Sequence, residues 1–213
     1  ASDVYKRQIL ERYLRDTKYV KNPLSQKELD KFEALLALFE KYAGQYDFDY
    51  LMVSAQAYQE SGLDHSKRSP AGAIGVMQLL PSTAADPNVG IPDIEKLEKN
   101  IHAGTKYLRF IVDRYYKDEP MDDVNRLLFA FASYNAGPAR VSSLRKKAAK
   151  MGLDPNIWFH NVEVAAAREI GRETVQYVSN IYKYYIAYRM IIDQMERKTR
   201  LMEGNSGLSS SGE

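Results

Sequence analysis

The spacing of apolar residues constrains the fold of this chain more than any other feature. In the segment 29–39, apolar side chains recur at steps of three and four, which places them on one face of an α-helix. They are Leu29, Phe32, Leu35, Leu36 and Phe39. Ser25 and Glu28 form a capping-box pattern that predicts the start of this helix, and Gly44 predicts its end.

The same period recurs along much of the chain. It predicts helices at about 48–60, 94–116, 122–134 and 172–197, a short helix after Pro81, and another that begins at Pro138. Strand signals are weak, although the apolar stretch 73–76 suits a small β-element between residues 66 and 80. The sequence therefore predicts a mainly α fold.

The length of 213 residues suits one domain with short appendages. Asn22 and Pro23 interrupt the chain before the first predicted helix, so we interpret residues 1–24 as an N-terminal extension or linker. Residues 25–198 form the predicted domain. The tail, 199–213, ends in a Gly/Ser-rich sequence with little apolar surface to bury, so we expect it to be disordered.

Composition argues against several functions. A net charge of +2 gives no reason to expect a nucleic-acid partner. The absence of cysteine excludes disulfides and thiolate metal sites, and His65, His102 and His160 lack a short metal-ligand spacing, so no metal or other cofactor is predicted. No stretch approaches the roughly 20 apolar residues of a membrane span. The N-terminus lacks a signal-peptide core, which fits a cytosolic protein or a mature or trimmed fragment.

Glu60 is the first candidate for chemistry because it follows an apolar stretch, 51–58, that is expected to pack in the core. A carboxyl at the edge of such a region is desolvated, which favours its protonated form and raises its pKa. General acids that work near neutral pH are made in this way. A solvated glutamate at a helix end is the alternative, and it is the commoner situation for a single residue of this kind.

A Gly- and Pro-rich region, 62–92, follows Glu60, and connections of this length inside a domain are usually functional. Gly72 and Gly75 permit positive φ and close approach of a ligand to the main chain. Met77 and Gln78 offer an adaptable apolar surface and an amide that donates and accepts. Together they suit a sugar with hydroxyl and N-acetyl groups. The structural alternative is a surface turn followed by a helix that begins at a proline.

Two later positions bring further polar groups to helix surfaces. Tyr134 and Asn135 precede Gly137, so they either form a helix C-cap or place a ring and an amide at the edge of a cleft. Tyr177 lies on the apolar side of the last predicted helix. A core tyrosine with a bonded hydroxyl and a site residue are equally consistent with that position.

Taken together, these patterns resemble the soluble-type lytic transglycosylases of bacterial cell walls. Each motif alone is weak, but they occur in the family's order over about residues 28–195, with Ser133 where the family has alanine. The matching pieces are Glu60-Ser61, Ser69-x-x-Gly72-Ala-x-Gly75-x-Met77-Gln78, Asn100-Ile-x-Ala-Gly, Ser133-Tyr134-Asn135-Ala-Gly137-Pro138 and Glu173-Thr-Val-Gln-Tyr177. The stretch after Tyr177 is most similar to the membrane-bound lytic transglycosylase F group.

The resemblance implies a lysozyme-like (goose-type) helical domain with an active-site cleft. It implies cleavage of the β-1,4 bond between N-acetylmuramic acid and N-acetylglucosamine without water, which leaves a 1,6-anhydromuramoyl end. Glu60 would protonate the glycosidic oxygen and then act as base on the muramoyl 6-hydroxyl. Ordinary glycosidases use two carboxylates, and none of the motif residues near Glu60 supplies a second. A nucleophile supplied by the substrate removes that need.

The resemblance also implies which side chains bind the glycan. Tyr134 and Tyr177 would orient Glu60 or the sugar, and Gln78 would bind an N-acetyl group. The implied substrate-binding residues are Ser69, Gly75, Met77, Gln78, Tyr134, Asn135 and Tyr177.

The same resemblance sets expectations for the whole protein. Its transglycosylase F members carry a separate N-terminal domain similar to a periplasmic solute-binding protein, so we expect this chain to be a catalytic fragment. The expected partner is peptidoglycan, and the expected location is the periplasm, with attachment to the outer membrane only through parts absent here. Two alternatives are a goose-type lysozyme that hydrolyses the same glycan and an inactive peptidoglycan-binding module.

Overall fold

The computed structural model describes residues 25–208, with side chains described for residues 25–193. Within that range the chain forms eight α-helices, and a distorted helical turn, Trp158–Val162, precedes the seventh. The helices are α1 Gln26–Gln45, α2 Tyr50–Ser61, α3 Pro81–Ala85, α4 Leu97–Tyr115, α5 Asp123–Ala136, α6 Pro138–Lys150, α7 Glu163–Glu169 and α8 Glu173–Leu208. The mainly α prediction is confirmed.

Helix ends follow the sequence signals in most places. Gly62 ends α2 with a φ of 69°, in the left-handed region that glycine adopts without strain. Pro138 is the first residue of α6, as predicted. Helix α1 begins after Ser25, as predicted, but the predicted side-chain contacts of the capping box are wrong. The Ser25 side chain makes no capping hydrogen bond, and Glu28 forms an ion pair with Lys31.

Two segments differ from the sequence-based predictions. The turn at 158–162 and helix α7 were missed, because the segment between α6 and α8 carries no strong apolar period. Helix α8 continues past Arg197 to Leu208, so 199–208 is helical rather than part of a disordered tail. Extending an existing helix needs no new nucleation step, because each added residue gains one backbone hydrogen bond. Residues 1–24 and 209–213 lie outside the described residues, so the extension and the end of the tail stay predictions.

Helix α2 lies at the centre of the core. Every residue from Leu51 to Tyr58 is buried, and α1 and α8 pack against the helix. A helix that is buried all round its circumference needs neighbours on all sides. The central position of α2 means that its C-terminal end, where Glu60 lies, is surrounded by other elements.

The segment between α2 and α4 forms a small lobe around its own apolar cluster. The cluster consists of Ile74, Leu79, Ala84, Val89, Ile91, Ile94 and Ala103. Isolated antiparallel bridges join Ile74 to Arg68 and to Leu79, so the predicted β-element is present only as single bridges. The lobe 62–96 therefore rests on α4 and follows directly from Glu60.

No helix in the part of the chain that the structure describes has both the length and the apolar character needed to cross a membrane.

Candidate active site

Glu60 lies in the last turn of α2, at the junction between the helical body and the lobe 62–96. Its side chain is partly exposed, whereas the preceding residues 51–58 of the helix are all buried. The Lys67 Nζ donates a 2.7 Å hydrogen bond to the main-chain oxygen of Glu60. This bond joins the start of the lobe to the end of α2, at the residue that carries the carboxyl group.

Helix α8 supplies the closest partner of the carboxyl group. The Tyr177 hydroxyl donates a 2.5 Å hydrogen bond to Oε1 of Glu60, across 117 positions of sequence. Tyr177 is 6% exposed. Burial, the charge of Glu60 and this bond raise the pKa of Tyr177 well above its ordinary value, so the hydroxyl stays protonated and acts as a donor. The packing of α8 on α2 thus creates the pair.

Burial raises the pKa of Glu60 from 4.5 to about 7. The hydrogen bond from Tyr177 and the positive charge of Lys67 act in the opposite direction, but desolvation is the larger effect. Both protonation states of the carboxyl group are therefore accessible near neutral pH. This environment favours the desolvated interpretation of Glu60 over that of a solvated helix end.

Tyr134 connects α5 to the lobe. Its hydroxyl donates a 2.8 Å hydrogen bond to the main-chain oxygen of Met77, and its ring lies 5.2 Å from that of Tyr107, centroid to centroid. Burial raises the pKa of Tyr134 well above its ordinary value, and the charge of Glu60 adds to this effect. The charge of Glu60 thus affects the pKa of Tyr134, whereas the Tyr134 hydroxyl is bonded to the lobe.

Gln78 and Ser69 shape the turn of the lobe. Gln78 has a φ of 44°, and its Nε2 donates to the main-chain oxygens of Gly75 at 2.8 Å and Lys67 at 3.2 Å. The Ser69 Oγ accepts a 3.0 Å hydrogen bond from the Ala73 nitrogen. Both side chains therefore hold the turn of the lobe, and both are partly exposed.

Gly75 and Met77 are buried, in contrast to the prediction that they face substrate. Met77 is 0% exposed, and a Cβ added at Gly104 would lie 2.6 Å from the Met77 side chain. Gly75 has a φ of 76°, and a Cβ there would lie 2.6 Å from the Nδ1 of His65. Both positions are filled because the lobe packs closely on α4, so Gly75 and Met77 support the lobe from behind.

Asn135 is exposed at the end of α5. Its Oδ1 accepts a 2.8 Å hydrogen bond from the hydroxyl of Thr174, in the first turn of α8. The bond joins the end of α5 to the start of the helix that carries Tyr177. Asn135 therefore lies beside the elements that form the site, and its side-chain oxygen is bonded to Thr174 rather than directed to Glu60.

Asn100 belongs to the motif Asn100-Ile-x-Ala-Gly, whose pattern alone does not indicate a role for its amide. Asn100 is fully buried, and its Oδ1 accepts a 2.8 Å hydrogen bond from the Met77 nitrogen. Its Nδ2 donates to the main-chain oxygens of Ile74 at 2.8 Å and Ile94 at 3.2 Å. The sequence signal that could have indicated this role is a polar residue on the otherwise apolar face of α4.

The groups that shift the pKa of Glu60 are Tyr177 and Lys67, and neither is a carboxylate. Among the described residues, no cluster of three or more His, Asp or Glu side chains could hold a metal ion. The described site therefore offers one carboxyl group that can give and accept a proton near neutral pH.

A cavity of about 630 Å³ lies at the other end of α2 and does not include Glu60. Its lining contains Asp49, Arg126 and Tyr185, whose polar groups already have partners. Tyr185 donates to Asp49, and Arg126 pairs with Asp123. Cavity volume alone therefore does not locate the chemistry of this molecule.

Comparison with known proteins identifies the family. The family model described as "Transglycosylase SLT domain" matches residues 37–157. A membrane-bound lytic murein transglycosylase F from Shewanella woodyi is 37% identical over 183 residues, which cover 80% of this chain and 36% of that protein. The chain thus spans about a third of the length of the curated relatives it matches.

Two solved structures have a similar fold. The 70 kDa soluble lytic transglycosylase from Escherichia coli is 30% identical, with a TM-score of 0.56 over 74% of this chain and 24% of that chain. An inactive glutamate-to-glutamine mutant of lytic transglycosylase Slt from Pseudomonas aeruginosa is 25% identical, with a TM-score of 0.56 over 80% of this chain and 26% of that chain. With the family match over residues 37–157, they show that the chain has the lysozyme-like helical fold and belongs to the transglycosylase SLT family.

Proposed function

We propose that this chain is the catalytic domain of a peptidoglycan lytic transglycosylase that cleaves the bond between N-acetylmuramic acid and N-acetylglucosamine. The observation that carries the proposal is the environment of Glu60. One carboxyl group, with a pKa raised to about 7, receives a hydrogen bond from Tyr177 and has no carboxylate partner among the groups that shift that pKa. The names of the relatives from Shewanella woodyi and Escherichia coli support the same reaction class.

A single carboxyl group suffices if it serves as acid and then as base. The protonated Glu60 gives its proton to the glycosidic oxygen, the bond from C1 to that oxygen breaks, and N-acetylglucosamine leaves as an alcohol. The muramoyl 6-oxygen then attacks C1, and the Glu60 carboxylate removes the hydroxyl proton. The 1,6-anhydro ring closes and Glu60 is protonated again. A pKa near the working pH suits both transfers.

The side chains around Glu60 receive distinct roles in this proposal. Tyr177 orients the carboxyl group, and Tyr134 holds the lobe at the edge of the site. Ser69, Gln78 and Asn135 are exposed or partly exposed and are proposed to contact the glycan, with the Oε1 of Gln78 directed to an N-acetyl group. Gly75 and Met77 are buried where the lobe packs on α4, and their role is to maintain the shape of the lobe.

The setting of the whole protein is also a proposal. The relatives named membrane-bound lytic murein transglycosylase F are about three times as long as the matched segment. We place this domain in the periplasm, with a solute-binding-like N-terminal domain and an outer-membrane attachment supplied by other parts of a longer chain.

Product analysis tests the reaction. Purified peptidoglycan is digested with the 213-residue chain and the soluble muropeptides are analysed by mass spectrometry. We expect 1,6-anhydromuramoyl ends, and we expect Glu60→Gln to lower the rate by at least about a thousandfold, because an amide cannot transfer the proton. Glu40→Gln, at an exposed position of α1, is the matched control and should cleave normally.

Three outcomes contradict the proposal in different ways. Reducing ends in place of anhydro ends indicate a lysozyme-type hydrolase. Binding to peptidoglycan without release of soluble products indicates an inactive binding module. Near-normal turnover by Glu60→Gln rejects the role of Glu60 while leaving the reaction class intact.

A further inference from the structure

Gln56 carries a buried side-chain amide that takes no part in the proposed proton transfers. It is 0% exposed, and neither its Oε1 nor its Nε2 makes a hydrogen bond of good geometry. Burying an amide without partners is costly, so a core position would ordinarily be expected to hold an apolar side chain. The amide therefore requires a physical explanation.

The position of Gln56 indicates what it acts on. It precedes Glu60 by four residues on α2, so the two side chains lie on the same face of the helix, one turn apart. Helix α8 packs on α2 and carries Tyr177, whose hydroxyl is bonded to Glu60. The Tyr177 hydroxyl is thus bonded to the residue one helical turn beyond Gln56.

The Gln56 amide lies near enough to the Tyr177 hydroxyl to lower the pKa of Tyr177, against the larger effect of burial. Only a donor to the phenol oxygen stabilises the phenolate and acts in this direction. Of the two ends of the Gln56 amide, only the Nε2 can donate to the Tyr177 oxygen. Neither end makes a hydrogen bond of good geometry in the structure, so the bond requires a rotation of the Gln56 side chain.

We propose that Gln56 is a positioning residue that donates a hydrogen bond from its Nε2 to the Tyr177 oxygen and so directs the Tyr177 proton toward Glu60. The proposal rests on the proposed role of Glu60. A phenol oxygen that accepts one hydrogen bond becomes a stronger donor of its own proton. Gln56 thus strengthens the bond from Tyr177 to the ionised form of Glu60 without touching the carboxyl group.

The groups that face Glu60 come from three other elements. Tyr177 belongs to α8, Tyr134 to α5 and Lys67 to the lobe. Gln56 carries no charge, so in this proposal its effect on Glu60 passes through Tyr177. Loss of the amide weakens the bond to the ionised carboxylate and raises the pKa of Glu60. The alkaline limb of the activity profile then moves to higher pH.

The test replaces Gln56 by leucine, which has a similar volume and no amide. We expect Gln56→Leu to shift the alkaline limb of kcat/KM upward by about half a pH unit. A carbon-13 NMR titration of the Glu60 carboxyl group should show the same shift. Ser54→Ala is the matched control, because Ser54 is a buried polar residue of α2 that bonds to the Tyr50 oxygen; it should shift neither titration.

Repeating the substitution in a Tyr177→Phe variant distinguishes an effect that passes through the Tyr177 hydroxyl from a general change in packing. In Tyr177→Phe, which lacks the intervening hydroxyl, adding Gln56→Leu should give no further shift. An equal shift in both backgrounds, or none in Gln56→Leu alone, overturns the proposal. Gln56→Met provides the same comparison if the leucine variant does not fold.

The NMR titration also keeps this proposal apart from the proposed reaction. It reads the Glu60 carboxyl group even if the chain does not cleave peptidoglycan. A shift in Gln56→Leu that depends on Tyr177 then supports the positioning role while the reaction itself is rejected.

Discussion

At the scale of residues, the site depends on two opposing effects on one carboxyl group. Burial favours the protonated form of Glu60, and the Tyr177 hydrogen bond with the Lys67 charge favours the ionised form. The result is a pKa of about 7, which neither effect alone would give. Sequence alone indicated the first effect, from the apolar stretch before Glu60. The second arises from a contact across 117 positions, and local patterns do not contain that information.

Removing the Tyr177 hydroxyl should raise the pKa of Glu60. Tyr177→Phe loses the donor that stabilises the carboxylate, so we expect the alkaline limb of kcat/KM to move up by about one pH unit. We also expect kcat at the optimum to fall about tenfold or more, because the carboxyl group is no longer held in one orientation. Both quantities come from a pH series on soluble peptidoglycan fragments.

Tyr134→Phe is the matched comparison for this experiment. It also removes a tyrosine hydroxyl near Glu60, but that hydroxyl donates to the Met77 oxygen. We expect it to shift the limb less than Tyr177→Phe does. A larger shift in Tyr134→Phe would show that the wrong tyrosine has been assigned to Glu60.

At the scale of elements, most helices could be predicted from local sequence, either from apolar residues at helical spacing or from a continuous apolar stretch bounded by glycine or proline. Pro138 and Gly62 mark helix ends for reasons contained in the residue itself, since proline fixes φ and glycine accepts a positive φ. The segment 158–169 could not be predicted, because its turn depends on contacts with distant residues. An example is the bond from the Trp158 nitrogen to the Asn125 side chain.

The region 62–92 was predicted to be functional, but the way in which the lobe packs on α4 was not predicted. Gly75 and Met77 were assigned to the ligand, because a Gly-rich loop with a flexible apolar residue is typical of binding sites. In the structure, both are buried where the lobe meets α4. The sequence pattern is the same for a residue that faces a ligand and for one that faces a helix, so only the tertiary structure distinguishes them.

Asn100 should therefore be essential for the lobe. In Asn100→Asp the side chain keeps an acceptor for the Met77 nitrogen but loses the amide that donates to the Ile74 and Ile94 oxygens. It also introduces a buried carboxyl group. We expect a loss of about 3 kcal/mol in the free energy of unfolding. Urea unfolding measures the loss, and hydrogen exchange should be faster in residues 62–96.

Asn180→Asp serves as the control for this substitution. Asn180 is partly exposed on α8 and accepts a hydrogen bond from Gln176 through Oδ1, which aspartate retains. Its stability should stay within about 0.5 kcal/mol of the unmodified chain. Equal losses in the two variants would mean that Asn100 does not anchor the lobe.

At the scale of the whole molecule, the site lies where the most buried helix meets the surface. The packing of α1 and α8 on α2 forms the core, and the same packing desolvates Glu60. Ionisation of this carboxyl group is thus linked to global unfolding, since loss of the packing returns the partly desolvated carboxyl group to full hydration. The molecule should be less stable when Glu60 is charged.

The sign of this linkage follows from the raised pKa. The folded state holds the Glu60 proton up to about pH 7, whereas the unfolded chain releases it near 4.5. The stabilisation by the protonated form is fully present below pH 4.5 and is lost as the pH rises through 7. Above that range, ionised Glu60 costs about 3 kcal/mol relative to a neutral side chain at the same place.

Glu60→Gln should therefore be more stable than the unmodified chain in alkaline solution. Glutamine keeps an oxygen for the Tyr177 hydroxyl and never ionises. At about pH 8.5 we expect a thermal midpoint about 5 to 10 °C higher, and at about pH 4 nearly equal midpoints. Glu40→Gln, at an exposed position, should show no such dependence on pH. A constant difference between Glu60→Gln and the unmodified chain across this range would mean that burial does not raise the pKa of Glu60, and that the carboxyl group is solvated in the folded molecule.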